Sequence, residues 1–514
     1  MDWNARGQRD NTKKQGVKVK MARVEIGRRG FLAGMVAAGV SPLVLPGYAK
    51  GFLANRKINI GVIGYGRIAH TMDVPGVQQF ADRCVVTAVA DLDAVRAAYG
   101  KKVIEERYAR KGVAQLVKTY GDYREMIADP SLDAVLLCIP DHQHAIVATD
   151  CLLAGKHIYL QKPFAQTIQE GRAVANLATQ KGLVVQVGAW QRSRPQFRKV
   201  VQLVRNGRIG RIARVEVGIG LDKSGGCRTA EPVPPTFNYD AWLGPTDGTA
   251  PYNWTRCHNQ DVKRIGDRPG WIQLAPYGWG MITNWGAHHL DITAWGLNRD
   301  PESVSGTCAW MDLSGTNLWN VHTTYDLHYN CGGTDVHVNN KFQMGVKFIG
   351  ENGDWLWCTR GAVKVTPSDP EPKVAPGRLG AIAASQAALL EDLKAGEIVD
   401  DALAHGGEKF LTTNDHFLNW LEAIAREDPR YTVSTAEEAH KSTAFCSLGR
   451  MCMELGRGKK DGATLAWNAA KEVSGNPEAD RMLAPFARGK YDLRNSFAGT
   501  KFDYEKMIRP MGCC

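Results

Sequence analysis

The stretch Ile58 to Ala69, INIGVIGYGRIA, is a short apolar, β-branched run that ends in Gly64-x-Gly66-x-x-Ala69 and then becomes helical. Each small residue answers a need of dinucleotide binding. Gly64 permits the tight strand-to-helix turn, Gly66 lets backbone N–H groups approach a pyrophosphate, and Ala69 lets the helix pack on the strand. Tyr65, Arg67 and Ile68 complete the same turn, and the positive end of the following helix meets the phosphates. A second apolar run, Cys84 to Ala90, ends in Asp91, 22 residues after Ala69, where an acid can bind ribose hydroxyls. A carboxylate there favours NAD over NADP, because it would repel a 2′-phosphate.

The elements that must hold this turn follow from the pattern of the chain. From Lys57 to about Trp190, short apolar runs at 58–63, 84–90, 117–120, 134–140, 157–161 and 184–188 alternate with helical stretches, which predicts a doubly wound parallel sheet. Beyond Arg211 the pattern changes to longer alternating strands, Arg214 to Gly220, Val321 to Tyr329 and Lys341 to Ile349. The fold class is therefore α/β: an N-terminal Rossmann domain over 55–190, then an α+β substrate and oligomerisation domain over 191–460 with a large, mostly antiparallel open sheet. Residues 461–514 form a C-terminal extension. Late helices are expected at Asn414 to Arg426, with Phe417, Trp420, Leu421 and Ile424 on one face, and after a capping box Ser434-x-x-Glu437. The Pro-rich, charged stretch Pro367 to Arg378 reads as a loop and Leu379 to Leu393 as an amphipathic helix.

Residues 1–49 read as a targeting segment. Arg28-Arg29-Gly30-Phe31-Leu32 follows a basic polar stretch and precedes a Gly- and Ala-rich apolar run to about Val44, which resembles a twin-arginine export signal. That run is too short for a permanent membrane span, and Gly47-Tyr48-Ala49 supplies small residues for cleavage near Ala49. The expectation is a periplasmic or exported protein that meets the twin-arginine machinery as a precursor. The segment holds nine Lys or Arg and three Asp or Glu, so +6 of the total +11 leaves with it, and nucleic acid is not an expected partner. The twelve cysteines show no regular spacing; Cys227, Cys257, Cys308 and Cys331 are candidates for pairing, and Cys513-Cys514 has no readable role.

Three further segments carry a resemblance: Pro140-Asp141-His142-x-His144, Gly155 to Pro163 (GKHIYLQKP), and Trp285 to Asp291 (WGAHHLD). Their order and spacing resemble the glucose-fructose oxidoreductase, inositol dehydrogenase and rhizopine-catabolism family, written Gfo/Idh/MocA. The resemblance implies hydride transfer between NAD(P) and a sugar or cyclitol carbon, and a homo-oligomer formed through the C-terminal sheet. It places Lys162 on the family's Glu-Lys-Pro lysine, which orients the reacting hydroxyl, with Gln161 standing where the family has Glu and Lys162-Pro163 as its cis peptide. It places His288 on the catalytic histidine, with Asn284 at a position commonly Asp. Four-residue spacing sets Asn284 and His288 on one helical face, so the amide would bind substrate while His288, as general base, takes the hydroxyl proton. His288, His289 and Asp291 are close enough in sequence to suggest metal ligands, but adjacent histidines diverge on a helix and no metal is expected. Pro140, Asp141 and His144 follow the fourth strand at its ligand-binding end; Asp141 and His144 contact cofactor or substrate there, or His144 packs against the neighbouring helix.

Between Trp190 and Trp310 the chain carries eight tryptophans among Gly, Asn, Asp and Arg, a composition that suits stacking on sugar faces. Trp190 and Arg192, with Arg194, Arg256 and His258 nearby, are the candidate substrate contacts. The leading reading is an exported NAD(P)-dependent sugar oxidoreductase with tightly bound cofactor. Two others compete: a redox-neutral NAD-dependent glycosidase or lyase, since an exported enzyme has no free nicotinamide pool, and a non-catalytic binding protein on the same fold.

Overall fold

The computed structural model describes residues 56–259, 261–366 and 411–511. The twin-arginine segment, the Pro367–Arg378 loop, the Leu379–Leu393 helix and Cys513-Cys514 lie outside the described residues.

The first sheet has six parallel strands: β1 (Ile58–Ile63), β2 (Cys84–Ala90), β3 (Lys118–Tyr120), β4 (Ala134–Leu137), β5 (His157–Leu160) and β6 (Val185–Val187). Their order is β3-β2-β1-β4-β5-β6, the doubly wound arrangement expected. β1 and β4 read as continuous apolar runs because both faces are covered: Ile60, Val62 and Leu136 pack to one side, Ile63, Val135 and Leu137 to the other. The chain reverses its winding between β1 and β4, and there the sheet opens a crevice at the carboxyl ends of the strands.

The second sheet has eight strands: β7 (Ile212–Gly218), β8 (Ser303–Trp310), β9 (His322–Cys331), β10 (Thr334–Asn339), β11 (Gly345–Gly350), β12 (Trp355–Thr359), β13 (Ala362–Thr366) and β14 (Ala463–Ala466). Every pairing is antiparallel except β7 with β10. Along β9, Tyr325, Leu327 and Tyr329 are buried while Thr324, Asp326 and Asn330 are exposed, so one face packs and the other stays polar. The packed face lies on the helices Gly286–Leu297 and Ala436–Leu455. The predicted strand Lys341–Ile349 in fact begins at Gly345, and β10 was not foreseen.

The late helices tie the two sheets together. Helix His416–Arg426 returns to the first sheet, burying Trp420, Leu421 and Ile424 there. Helix Ala436–Leu455 places Ala436 and Ala439 against the first sheet and Phe445, Leu448 and Met451 against the second. Its capping box is Thr435 with Glu438, one residue later than expected, since Glu437 points instead to Arg172 at 2.6 Å. Leu493, Phe497 and Met507 pack back onto the first sheet, so residues of the C-terminal stretch brace the cofactor domain. The ten described cysteines are free thiols, and the four candidates for pairing are unpaired. Among the described residues no helix is long and apolar enough to cross a membrane.

Candidate active site

A cleft of about 550 Å³ lies at the carboxyl ends of β1, β2 and β4 and is lined by Gly64, Gly66, Arg67, Ile68, Asp91, Pro140, Asp141, Gln161, Lys162 and Asn284. Gly64 has φ +83°, and a Cβ there would meet the Cys138 carbonyl oxygen at 2.8 Å, so only glycine makes this turn. Gly66 differs: an added Cβ would find nothing nearer than the tip of Arg96 at 3.7 Å. No protein atom demands that glycine, and the space beside it in the cleft would admit a ligand's pyrophosphate. Asp91 accepts hydrogen bonds from the N–H groups of Tyr65 at 2.7 Å and Asp93 at 2.9 Å, which fixes its carboxylate at the end of β2. The donor set therefore fits a dinucleotide, with Gly64 to Ile68 at the phosphates and Asp91 at a ribose. Tyr65 contributes its backbone alone; its ring is buried, edge-on to His70 and Tyr99.

Gln161 and Lys162 leave the end of β5, and the Lys162-Pro163 peptide is cis. The Lys162 ammonium donates to the Asn284 carbonyl oxygen at 3.3 Å, which joins the cofactor domain to the helical segment Met281–Asn284. Burial pushes the Lys162 amine well down from its ordinary range, opposed by the negative charge of Asp141 and reinforced by Arg268, Arg67 and Arg360. Burial pushes Asp141 up, and the Lys162 charge opposes it. This pair is the ionisable centre of the cleft.

His288 sits one helical turn past Asn284 and is 7% exposed. Its Nδ1 is buried without a hydrogen-bond partner, and its ring is edge-on to Trp190 at 6.3 Å and Trp285 at 5.8 Å. Burial and the charges of Lys162 and Arg360 hold it far below the usual imidazole range. It is a neutral ring behind the cleft lining.

Three expected cleft contacts, Arg192, His144 and Arg256, are engaged elsewhere. Arg192 is buried and ion-paired to Asp291 at 2.8 Å and Glu438 at 2.9 Å, so its donors are spent inside the protein. Asp291 is thereby engaged, and His289 bonds the Gly218 carbonyl oxygen at 2.8 Å, so these two do not converge with His288 on a metal. The buried His144 ring faces the carbonyl oxygens of Pro163 at 2.7 Å and Ile139 at 3.1 Å; it braces the lysine turn and does not line the cleft. Arg256 is held by the Tyr239 hydroxyl and the Pro251 carbonyl, both at 2.6 Å. Of that basic cluster His258 alone lines the cleft, far along it near Asp91 and Arg96. Trp190 stays close to His288 but outside the lining.

Sequence reasoning missed Asp73 and Arg360. Asp73 ends a π-helical turn, Ala69–Asp73, and its buried carboxyl receives the Gln161 amide and the Cys138 thiol. Only its place four residues after Ala69, on the same helical face, hinted at it. Arg360, at the β12–β13 turn, lies over the rings of Trp190 at 4.3 Å and Trp285 at 4.4 Å. No motif marks it.

Fold and cleft together define an NAD(P)-binding Rossmann protein whose dinucleotide cradle opens onto a half-buried lysine. Residues 58–189 match the Gfo/Idh/MocA family model, described as an oxidoreductase family with an NAD-binding Rossmann fold, and carry that fold here. Among curated relatives, the chain is 30% identical over 161 residues to an uncharacterised oxidoreductase of Rhizobium meliloti, covering 31% of this chain and 44% of that one. It is 26% identical to a myo-inositol 2-dehydrogenase of Thermotoga maritima, covering 35% of this chain and 48% of that protein. It is 29% identical to an NADP-dependent D-xylose 1-dehydrogenase of Hypocrea jecorina, covering 32% and 41%. The chain thus spans less than half the length of the curated relatives it matches. Among solved structures, the WlbA dehydrogenase of Chromobacterium violaceum, in complex with NADH and UDP-GlcNAcA, shares the fold at a TM-score of 0.53 and 17% identity, over 81% of this chain and 97% of that one.

Proposed function

We propose that this protein is an exported oxidoreductase that exchanges a hydride between a tightly held NAD and a carbon bearing a hydroxyl on a sugar or cyclitol. The observation that carries the reading is the shared cleft: Gly64, Gly66 and Asp91 at one end, Lys162 with Asp141 and Asn284 at the other. Relatives named as dehydrogenases of myo-inositol and D-xylose support the substrate class. When bound, the dinucleotide supplies the hydride acceptor or donor. Gly64 to Ile68, Asp91 and Pro140 would hold it, and Lys162 would orient the reacting hydroxyl.

Burial and charge favour proton roles opposite to those expected from sequence. A proton on His288 would sit beside the Lys162 ammonium in a desolvated site, so Lys162 is the stronger base of the two. Lys162 takes the hydroxyl proton, its amine kept partly neutral by burial, and Asp141 steadies the charge that results. His288, behind the lining, is a neutral ring that backs the site and takes no proton. The Arg28-Arg29 segment supports export with the cofactor already bound. Self-association through the open sheet is expected of an apolar face; this face is polar, so that support falls away.

The test is to purify the folded chain without added cofactor, denature it and identify released dinucleotide by mass spectrometry. Stoichiometric NAD supports the reading and makes a closed, redox-neutral cycle the next question. A protein that is empty and also fails to bind added NAD leaves only a binding function on this fold.

A further inference from the structure

We infer that the sugar presented to Lys162 carries a carboxylate, and that Arg360 receives it. The inference rests on the oxidoreductase reading above and narrows its substrate to sugar acids. Arg360 leaves β12 at its last residue, Thr359, and turns its guanidinium between two indoles, 4.3 Å from the centre of Trp190 and 4.4 Å from that of Trp285. With the Gln191 amide oxygen facing it, Arg360 Nε donates at 3.0 Å. Two rings and one amide thus fix the plane of the guanidinium.

What they leave over is the informative part. Among the described residues, the two terminal nitrogens of Arg360 make no hydrogen bond and no carboxylate lies within ion-pair distance of it. A half-buried arginine with its plane fixed and its fork unspent offers the parallel donor pair that a carboxylate accepts in bidentate fashion. Burial lowers Arg360 from the usual guanidinium range to about 10, with the charge of Arg194 adding to the effect, so an anion beside it would relieve a standing cost.

Arg360, like Trp190, is outside the lining of the cleft, but its charge bears on Lys162 and it lies over Trp285, the neighbour of Asn284. The same two indoles that hold Arg360 flank His288, at 6.3 Å and 5.8 Å, and Trp285 adjoins Asn284 in the chain. The Lys162 end of the cleft is also cationic: the charges of Arg268, Arg67 and Arg360 all bear on Lys162, against the single carboxylate of Asp141. Among the described residues neither Arg67 nor Arg268 forms a close ion pair; the Asp222 charge bears on Arg268, whose side chain bonds the Met281 sulfur at 3.7 Å. A pyrophosphate accounts for Arg67, in the glycine turn. It does not account for Arg360, on the other sheet behind Trp190 and Trp285. An anionic group on the substrate does.

The experiment is calorimetric titration of the NAD-loaded full chain with D-glucuronate, D-galacturonate and D-gluconate, each beside its neutral counterpart D-glucose, D-galactose or D-glucitol. At least one acid should bind about 10-fold or more tighter than its counterpart, the increment of a bidentate charged pair. Arg360→Gln should erase that difference, and Arg360→Lys should restore only part of it, because lysine keeps the charge without the fork. Circular dichroism and NAD content show that each variant is folded and loaded. Equal affinity for acids and neutral sugars, no binding of any acid, or a preference that survives Arg360→Gln overturns the inference while leaving the oxidoreductase reading intact. Failure of the wild-type chain to hold NAD defeats that reading instead.

Discussion

The Gln161 amide donates to both oxygens of the buried Asp73 carboxyl, at 2.9 and 2.8 Å. The Cys138 thiol donates to the same group at 3.1 Å, and burial pushes the carboxyl up to about 7. The motif that brings Lys162 to the cleft is thus anchored beneath by an acid on the first helix, while position 161 itself is neutral. Restoring a carboxyl with Gln161→Glu would put two acids in one desolvated place, where one must stay protonated. The variant should match wild type near pH 4 and fall progressively behind it in melting temperature as pH rises from there through about 7. A constant difference across pH would mean that the two groups do not face each other.

The turn itself predicts a contrast between two glycines. At Gly66 an added Cβ meets only the flexible tip of Arg96, at an ordinary contact distance, so Gly66→Val should lower NAD affinity by about 100-fold or more with the melting temperature little changed. Gly64→Ala forces an L-residue to φ +83° against the Cys138 carbonyl and should destabilise by about 1–3 kcal/mol. Titration calorimetry and thermal unfolding separate the two. Equal effects of both substitutions on binding and stability would sink the cradle.

Much of this was legible in the chain. β1 and β2 fall where their apolar runs do, and the glycine turn with Asp91 marked the cofactor end without a coordinate. Short strands were read one to three residues long, because apolar residues continue past the last ladder bond, as at 138–140 after β4. The Lys162 end was legible only in part. Its partner Asp141 was visible as a residue but not as the charge that faces Lys162, and Asp73 and Arg360 come from distant segments that only the packed fold brings near. Arg192 misled for a related reason: an arginine beside Trp190 reads as a ligand contact until Asp291, 99 residues away, is seen to neutralise it.

Lys162→Met should cut kcat on the order of a thousandfold, the scale of a lost proton-transfer group, and leave NAD affinity within about twofold. Substituting His288→Asn should cost less and should leave the ionisation that limits kcat/KM at its wild-type position, because that ionisation belongs to Lys162 with Asp141. A pH–rate profile decides between them. If the limb vanishes in the His288 variant and persists in a Lys162→Arg variant, the proton roles stand the other way round.

Arg192→Gln should act on stability and not on substrate. It strands the Asp291 carboxylate, whose side chain and that of Arg192 are each 2% exposed, and breaking a buried pair from one side costs about 3–5 kcal/mol. Urea unfolding should show that loss, with KM for any turned-over sugar unchanged. A raised KM in a variant of native stability would return Arg192 to the substrate.

Acid sensitivity follows from the buried imidazoles. Burial lowers His142 and His322 to about 3 and His144, His157, His289 and His416 to about 4, from an ordinary value near 6.5. Between about pH 6.5 and 4 the unfolded chain binds protons at these positions that the folded chain refuses, so their contribution is complete above pH 6.5 and is lost as pH falls. Burial has the opposite consequence at Asp73 and Glu170, raised to about 7, and at Asp222, raised to about 6. There the folded chain keeps protons that the unfolded chain has released, so stability declines as pH rises through that range. The imidazoles outnumber these acids and their window closes just as low, so the net slope between pH 5 and 6.5 is upward. Thermal unfolding should give a melting temperature several degrees lower at pH 5 than at pH 7.5. A melting temperature that is flat or higher at pH 5 would mean that the buried acids control the balance.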